Sequence, residues 1–391
     1  MGQGMHLRDK AAVAGIGATE FSKNSGRSEL QLAVEAITAA LDDAGLTSTD
    51  VDGLCTFAMD TNVEDEVFRN LGGHELRLFS RIDYGGGAGG GVVLQAAMAV
   101  AAGVAETVVV YRAMNERSGT RFGAPITASG ATPDQLVRGL HTCQGLQTPG
   151  AFMAMAIRRY MHDTGATSED FGLVSVNARR NAATNPKAWF YNKPITLEDH
   201  QASRLVAEPM RLLDFCQESD GGVAMVITSL ERARDLKQPP VRIRSASQGL
   251  PRGTNPMSSF YRPDIAPRDE ARTTARKLYE LAGITPDDVD VAIIYDHFGP
   301  SLLPALEAYG FCDYGESKDF IREGHIRLEG RLPVNTNGGQ LGEAYIHGMN
   351  GFAEAVRQVR GTAVNQIANV EHVLATAGNV VPTSAVIFGR D

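Results

Sequence analysis

One stretch of this chain concentrates residues that can do chemistry: Asn335 to Gly351, read as NTNGGQLGEAYIHGMNG. Tyr345 and His347 stand two residues apart in it, among five glycines. A phenol and an imidazole can each give or take a proton. Glycines let a backbone turn tightly and approach a ligand closely. The apolar-periodic run FAEAVRQVRG from Phe352 predicts a helix directly after the loop, an arrangement that presents a site at a helix N-terminus. The plain alternative for a tyrosine beside loop glycines is core packing. Two further glycine clusters, GIGATE at 15–20 and GGGAGGG at 85–91, invite comparison with a dinucleotide fingerprint. That fingerprint needs a strand before it and a helix after it. The first cluster runs into polar loop text and the second follows Asp83 and Tyr84 rather than a strand, so NAD binding is rejected. What remains for the second is backbone N–H groups aimed at an oxygen, or tight packing by small residues.

The whole chain bounds these readings. Its 391 residues exceed what one hydrophobic core organises, which predicts two or three lobes. A formal net charge of −9 argues against a nucleic-acid partner. No apolar run approaches the ~20 residues of a membrane span, so no membrane partner is expected. Cys55, Cys143, Cys216 and Cys312 share no short spacing, which excludes a zinc knuckle or a redox pair and suits a reducing cytoplasm. Each reads as a small buried hydrophobe.

The elements that must position the candidate residues follow an α/β pattern. AAVAGIG at 11–17 predicts a strand, and Ser28 caps a helix that Gly45 stops. GLCTFAM from Gly53 and TVVVY from Thr107 predict strands on either side of a helix, VVLQAAMAVAAG. The alternation predicts a layered α/β fold with a largely parallel sheet. AGLTSTDVD at 44–52 recurs as AGITPDDVD at 282–290, each copy after a helix and before an apolar strand. Each half then carries a glycine-rich loop and ends in a strand, VAMVIT or SAVIFG, which predicts a duplicated unit. Residues 116–205 have a different, helical texture and read as an inserted cap.

VAGIGATEF, NPKAWFYNKPITLEDHQASRLVAEPMRLLDFC and DGGVAMVITSLERAR, with the duplicated halves, carry a resemblance. The chain resembles the thiolase superfamily, and within it the lipid-transfer-protein (sterol-carrier-protein thiolase-like) branch. The resemblance implies two thiolase-like halves in αβαβα layers: 1–115 plus 206–242, and 243–391, with the cap at 116–205. It also implies a homodimer.

The departures from the family pattern carry the function. Thiolases place a nucleophilic cysteine at the start of the first glycine-rich helix, and Gly86 stands there. Their N-x-x-G-G-x-x-A-x-G-H motif, counted from Asn335, puts Tyr345 at the histidine. A further Asn or His before an acidic residue is replaced by Tyr295 in YDHF, followed by Asp296, His297 and Phe298. The late Cys-x-Gly motif becomes Thr376, Ala377 and Gly378. Acyl transfer through a thioester needs a thiolate and a base, so ordinary thiolase activity is not expected. Backbone at Gly86 and Gly378 remains to bind a thioester oxygen.

Two phenols suit retro-aldol cleavage of a β-hydroxyacyl thioester, with one tyrosine as base and the other as acid. A basic tyrosine needs donors or cations nearby. His297 and His347 are the candidates, and Asp296 could orient one of them. No lysine or ligand-spaced cluster lies in these motifs, so neither a Schiff base nor a metal is expected, and no cofactor beyond the coenzyme A of the substrate. The YDHF and GEAYIHGMNG text resembles the steroid side-chain retro-aldolases. That resemblance implies an acyl-CoA substrate: a 17-hydroxy steroid with a three-carbon CoA side chain, cleaved to a 17-ketosteroid and propionyl-CoA. It implies a partner too, a small OB-fold protein of the DUF35 type. The alternatives are an acyltransferase with a displaced nucleophile and a non-catalytic acyl-CoA-binding subunit.

Overall fold

The computed structural model describes residues 7–58, 61–124, 139–254, 260, 262–378 and 383–391. Residues 1–6, the end of GLCTFAM and residues 125–138 of the cap lie outside them.

Eleven named strands occur among the described residues: β1 (Ala11–Ala18), β2 (Gly53–Phe57), β3 (Leu78–Ile82), β4 (Thr107–Asn115), β5 (Leu205–Ala207), β6 (Met210–Arg211), β7 (Asp220–Ser229), β8 (Val241–Gly249), β9 (Val291–Ile293), β10 (His372–Ala377) and β11 (Thr383–Arg390). The principal helices are α1 (Glu29–Ala44), α2 (Glu64–Leu71), α3 (Gly89–Ala101), α4 (Pro149–Thr164), α5 (Ser168–Thr184), α6 (Asp269–Ala282) and α7 (Met349–Arg360). Ser28 caps α1 by accepting from the Gln31 N–H, and Gly45 ends it in the left-handed region at φ 73°.

Nine strands form one sheet in the order β3-β2-β4-β7-β1-β8-β11-β10-β9. The duplication is visible in that order, since β2-β4-β7-β1 and β9-β10-β11-β8 are the same series met from opposite ends. The halves join where β1 meets β8 through Ala12 with Arg242 and Val13 with Val241. The repeated nonapeptide is preserved in atomic detail. Thr47 and Thr285 each begin a single 3₁₀ turn whose third residue, Asp50 or Asp288, accepts the threonine N–H. Asp52 then takes the N–H groups of Glu106 and Thr107, and Asp290 those of Glu371 and His372. Each repeat thus ties its own strand to the start of the next strand in its sheet.

The expectation of a largely parallel sheet is corrected. β2 is parallel to β3 and β4, and β9 to β10, but β7 and β11 run antiparallel to both neighbours, as β1 and β8 do. The strand that closes each half returns between two others, and local alternation of helix and strand carries no record of that. The layers are as expected. α1 packs on β1, β4 and β7, and α6 on β8 and β11, whereas α3 and α7 each touch strands of both halves and form the central layer. α3 begins at Gly89, earlier than the apolar run suggested, because its glycines face other elements. A Cβ at Gly90 would lie 2.8 Å from the Ala385 nitrogen, and one at Gly91 2.4 Å from the Gln248 amide. The helices α4 and α5 share a core with the second half, where Ile157, Tyr160 and Phe171 pack with Leu278, Leu302 and Tyr309. Among the described residues no helix is long and apolar enough to cross a membrane.

Candidate active site

Tyr295 follows the short strand β9, and its backbone is held on both sides. The Asn335 side chain clasps residue 294, accepting the Ile294 N–H at 2.8 Å and donating to its carbonyl at 3.0 Å. Thr376 at the end of β10 accepts the Tyr295 N–H at 2.9 Å. Tyr345 lies in the loop before α7, and its N–H donates to the Ser219 hydroxyl at 3.2 Å. Beneath that loop the Glu343 carboxylate accepts from Asn337, Asn350 and Asn185. Burial pushes this carboxyl up to about 7, yet its acceptor sites are filled, which marks a clamp on the loop.

The two phenol oxygens lie 3.1 Å apart. Both rings are buried, at 3% and 7% exposure, and meet nearly edge to face. Gly86, in the turn entering α3, completes the centre. A Cβ there would lie 1.7 Å from the Tyr295 Oη and 2.4 Å from its Cζ. Ordinary contact begins at 3.4 Å, so the phenol of Tyr295 fills the space a side chain at position 86 would need. Ser384 donates to the Gly87 carbonyl at 2.7 Å and fixes this turn against β11. Gly348, at φ 83°, leaves room for the tyrosine ring, since a Cβ there would meet Tyr295 Cδ2 at 2.9 Å. Gly378 stands one residue beyond β10 at φ 67°, buried, two positions after the threonine that holds Tyr295.

Both phenols are pushed well above their ordinary ionisation range by burial, and Tyr345 further by its neighbour. His297 lies 4.8 Å from the Tyr295 ring. His347, in the left-handed region at φ 48°, stacks on Phe122 at 4.7 Å and meets the Tyr345 ring edge-on at 5.2 Å. Burial lowers His297 to about 3 and His347 well below its usual value. Of the two roles expected of these histidines, donor or cation, burial favours the donor: in the neutral form they offer the phenols an imidazole face or a neutral N–H. Asp296 accepts the Gln340 N–H at 2.8 Å and burial pushes it up to about 7, so its charge next to Tyr295 is diminished near neutrality.

The structure also brings in residues that carried no motif. The segment after β6 threads between the two tyrosine motifs: the Cys216 N–H donates to the His297 carbonyl, and the Gln217 N–H to the Gln340 carbonyl. Cys216 therefore lies close to both phenols, although it occupies neither lost cysteine place. Burial drives its thiol well above the usual range, which suits a thiol and not a nucleophilic thiolate. Among the described residues no group of three or more His, Cys, Asp or Glu side chains is placed to hold a metal.

Residues 252–390 match the family described as thiolase C-terminal domain-like. A "Steroid side-chain-cleaving aldolase" from Thermomonospora curvata is 58% identical over 98% of this chain and 99% of its own length. The chain belongs to the thiolase superfamily. Its place is in the lipid-transfer-protein branch, among the carbon–carbon lyases: a "17-hydroxy-3-oxo-4-pregnene-20-carboxyl-CoA lyase" from Mycobacterium tuberculosis is 59% identical over 98% of this chain and all of that protein. The solved structure described as "Ltp2-ChsH2(DUF35) aldolase" superposes with a TM-score of 0.95 at 58% identity, covering 98% of this chain and 99% of that one. Human mitochondrial 3-ketoacyl-CoA thiolase shares the fold at a TM-score of 0.69 and 16% identity, covering 98% of this chain and 99% of that one.

Proposed function

We propose that this thiolase-fold lyase cleaves a 17-hydroxy steroid bearing a three-carbon CoA side chain, giving a 17-ketosteroid and propionyl-CoA. The observation that carries the reading is the pair of buried phenol oxygens 3.1 Å apart, one of them in the space of an absent side chain at Gly86. The names of the two relatives at 58% and 59% identity support the substrate class. In this reading one phenol oxygen accepts the substrate's 17-hydroxyl proton while the bond between the α- and β-carbons breaks. The bonding pair passes to the thioester as an enolate, and the β-carbon becomes the ketone. The other phenol protonates the α-carbon, and the contact between the two oxygens returns the proton, so the cycle is neutral overall. Backbone N–H groups entering α3 and at Gly378 face the thioester oxygen in the same proposal. Coenzyme A arrives with the substrate, and no further cofactor is called for.

A DUF35 OB-fold protein is the proposed partner, by analogy with the solved aldolase. The chain also forms a homodimer in this proposal, through β3. Among the described residues that strand pairs only with β2, and its Phe79 is 69% exposed, whereas the other end of the sheet at β9 is covered by the segment around Val334. A cytoplasmic setting fits four cysteines free of disulfides. The deciding experiment incubates the protein, with and without the DUF35 partner, with the 17-hydroxy steroid acyl-CoA. Ketone and propionyl-CoA in equal amounts are expected. Their absence with the partner bound overturns the reading.

A further inference from the structure

Glu116 is the first residue after β4, and its side chain turns into the protein: it is 3% exposed. Its Oε2 has no hydrogen-bond partner among the described residues. The backbone N–H groups of Ser219 and Phe122 face its carboxyl. Those two residues also hold the site. The Ser219 hydroxyl accepts the Tyr345 N–H at 3.2 Å, and the Phe122 ring stacks on His347 at 4.7 Å, edge-on to Tyr345. Glu116 is thus linked to Tyr345 by two separate routes, through Ser219 to its backbone N–H and through Phe122 and then His347 to its ring. A buried acceptor left unpaired is costly, and a carboxyl is an uncommon filler for an otherwise well-packed place.

We propose that Glu116 is a positioning residue that acts through the tyrosine pair, taking the proton a phenol must shed and returning it. The inference rests on the retro-aldolase reading. Its chemistry balances. The substrate hydroxyl gives its proton to a phenol oxygen as that phenol's own proton leaves for the Glu116 carboxylate, the α–β bond breaks, and its electron pair becomes the enolate. A phenol then protonates the α-carbon and recovers a proton from the Glu116 carboxylic acid. The phenols alone can return the proton across their 3.1 Å contact, and a carboxylate beside them adds a second acceptor that spares the pair a standing tyrosinate, which burial disfavours.

Electrostatics supports the assignment. Burial first, and Glu218 second, push the Glu116 carboxyl up to about 8, against the backbone N–H groups and Lys23. Glu218 is itself paired with Arg121 at 2.8 Å. A charge on Glu116 acts on both phenols and on Cys216. The cluster therefore accommodates one negative charge shared among Glu116, Tyr295 and Tyr345, and a second is opposed.

The test is Glu116→Gln in the complex with the DUF35 partner, with cleavage followed across pH. In the wild type kcat/KM should rise to a plateau above about pH 8. Glu116→Gln should abolish that limb and lower the rate by about 10²-fold or more, with KM little changed. Glu116→Asp should keep the limb at a reduced rate, which separates the role from a folding defect. Asp296 and Glu343 titrate lower, at about 7, and their effects survive in Glu116→Gln. A Glu116→Gln enzyme with the wild-type profile overturns the inference while the retro-aldolase reading stands. Infrared difference spectra of the unliganded protein decide it without turnover. A carboxylic-acid carbonyl band should vanish with a midpoint at about 8 and be missing in Glu116→Gln. A wild type with no such band overturns the inference. A wild type that shows the band but cleaves nothing overturns the retro-aldolase reading instead.

Discussion

Gly86→Ala adds a single methyl group at the point where the first half touches Tyr295. The new carbon would begin 1.7 Å from the phenol oxygen and 3.1 Å from ring carbon Cε2. Ordinary contact begins at 3.4 Å, so the oxygen must retreat by the difference, about 1.7 Å. It cannot retreat onto Tyr345, whose own oxygen is 3.1 Å away. Proton transfer needs donor and acceptor within ~2.6–3.2 Å, and a misplacement of ~1 Å can cost about 10²-fold. Gly86→Ala should therefore lower cleavage by about 10²-fold or more, while overpacking costs about 1–3 kcal/mol of stability. The assay is propionyl-CoA release with the DUF35 partner bound, alongside a thermal melt. In a Tyr295→Phe background the same substitution should add little further loss of rate, because the displaced hydroxyl is already gone. Full activity in a folded Gly86→Ala enzyme would refute the reasoning, since the phenol would then be free to leave its place without consequence.

Tyr295→Phe and Tyr345→Phe should each lower cleavage by ~10²–10⁴-fold, and the double variant should lose less than the product, because residues acting as a unit are non-additive. Cys216→Ala should keep most turnover despite its closeness to the phenols, and a folded but inactive variant would revive a displaced nucleophile. His297 is buried neutral, with its ionisation lowered to about 3, below the unfolded value of 6.5. Its contribution to stability is complete above 6.5 and lost as pH falls toward 3, so His297→Gln should flatten that limb of the melting temperature against pH. Phe79→Lys on the open edge of β3 should yield monomers by sedimentation if the dimer forms there, and unchanged dimers would place the interface elsewhere.

The parts of this structure written in local text were legible from sequence. Thr47 with Asp50, and Thr285 with Asp288, are short-range capping pairs, so the repeat could be read before any strand was placed. Tyr295 and Tyr345 were found because each stands in a motif whose spacing is recognisable, and the fold then brings two motifs 50 residues apart to one contact. Sheet direction was misread because β7 and β11 choose their neighbours over long range. The start of α3 was missed because Gly89, Gly90 and Gly91 look like loop text, and only their close approach to β11 and Gln248 shows why a helix there must be made of glycine. The neutrality of His297 and His347 and the raised carboxyl of Glu116 are consequences of burial, which no spacing reports. Cys216 was set aside as a filler, and its place between the two motifs is likewise a product of tertiary packing.

The overlap between position 86 and the phenol of Tyr295 also constrains ancestry. A cysteine at 86 and a tyrosine at 295 compete for one volume, so a thiolase nucleophile and this phenol cannot both be present in an undistorted site. An ancestor with the cysteine could not acquire the tyrosine first without crushing its own nucleophile. The exchange had to pass through a chain that had lost the cysteine at 86 but still held the thiolase Asn or His at 295, competent in neither chemistry, or occur as a paired change. The same exclusion runs in reverse. Restoring a cysteine at 86 alone would forfeit the lyase without recovering the acyltransferase, so the two activities are separated by a valley that single substitutions do not cross.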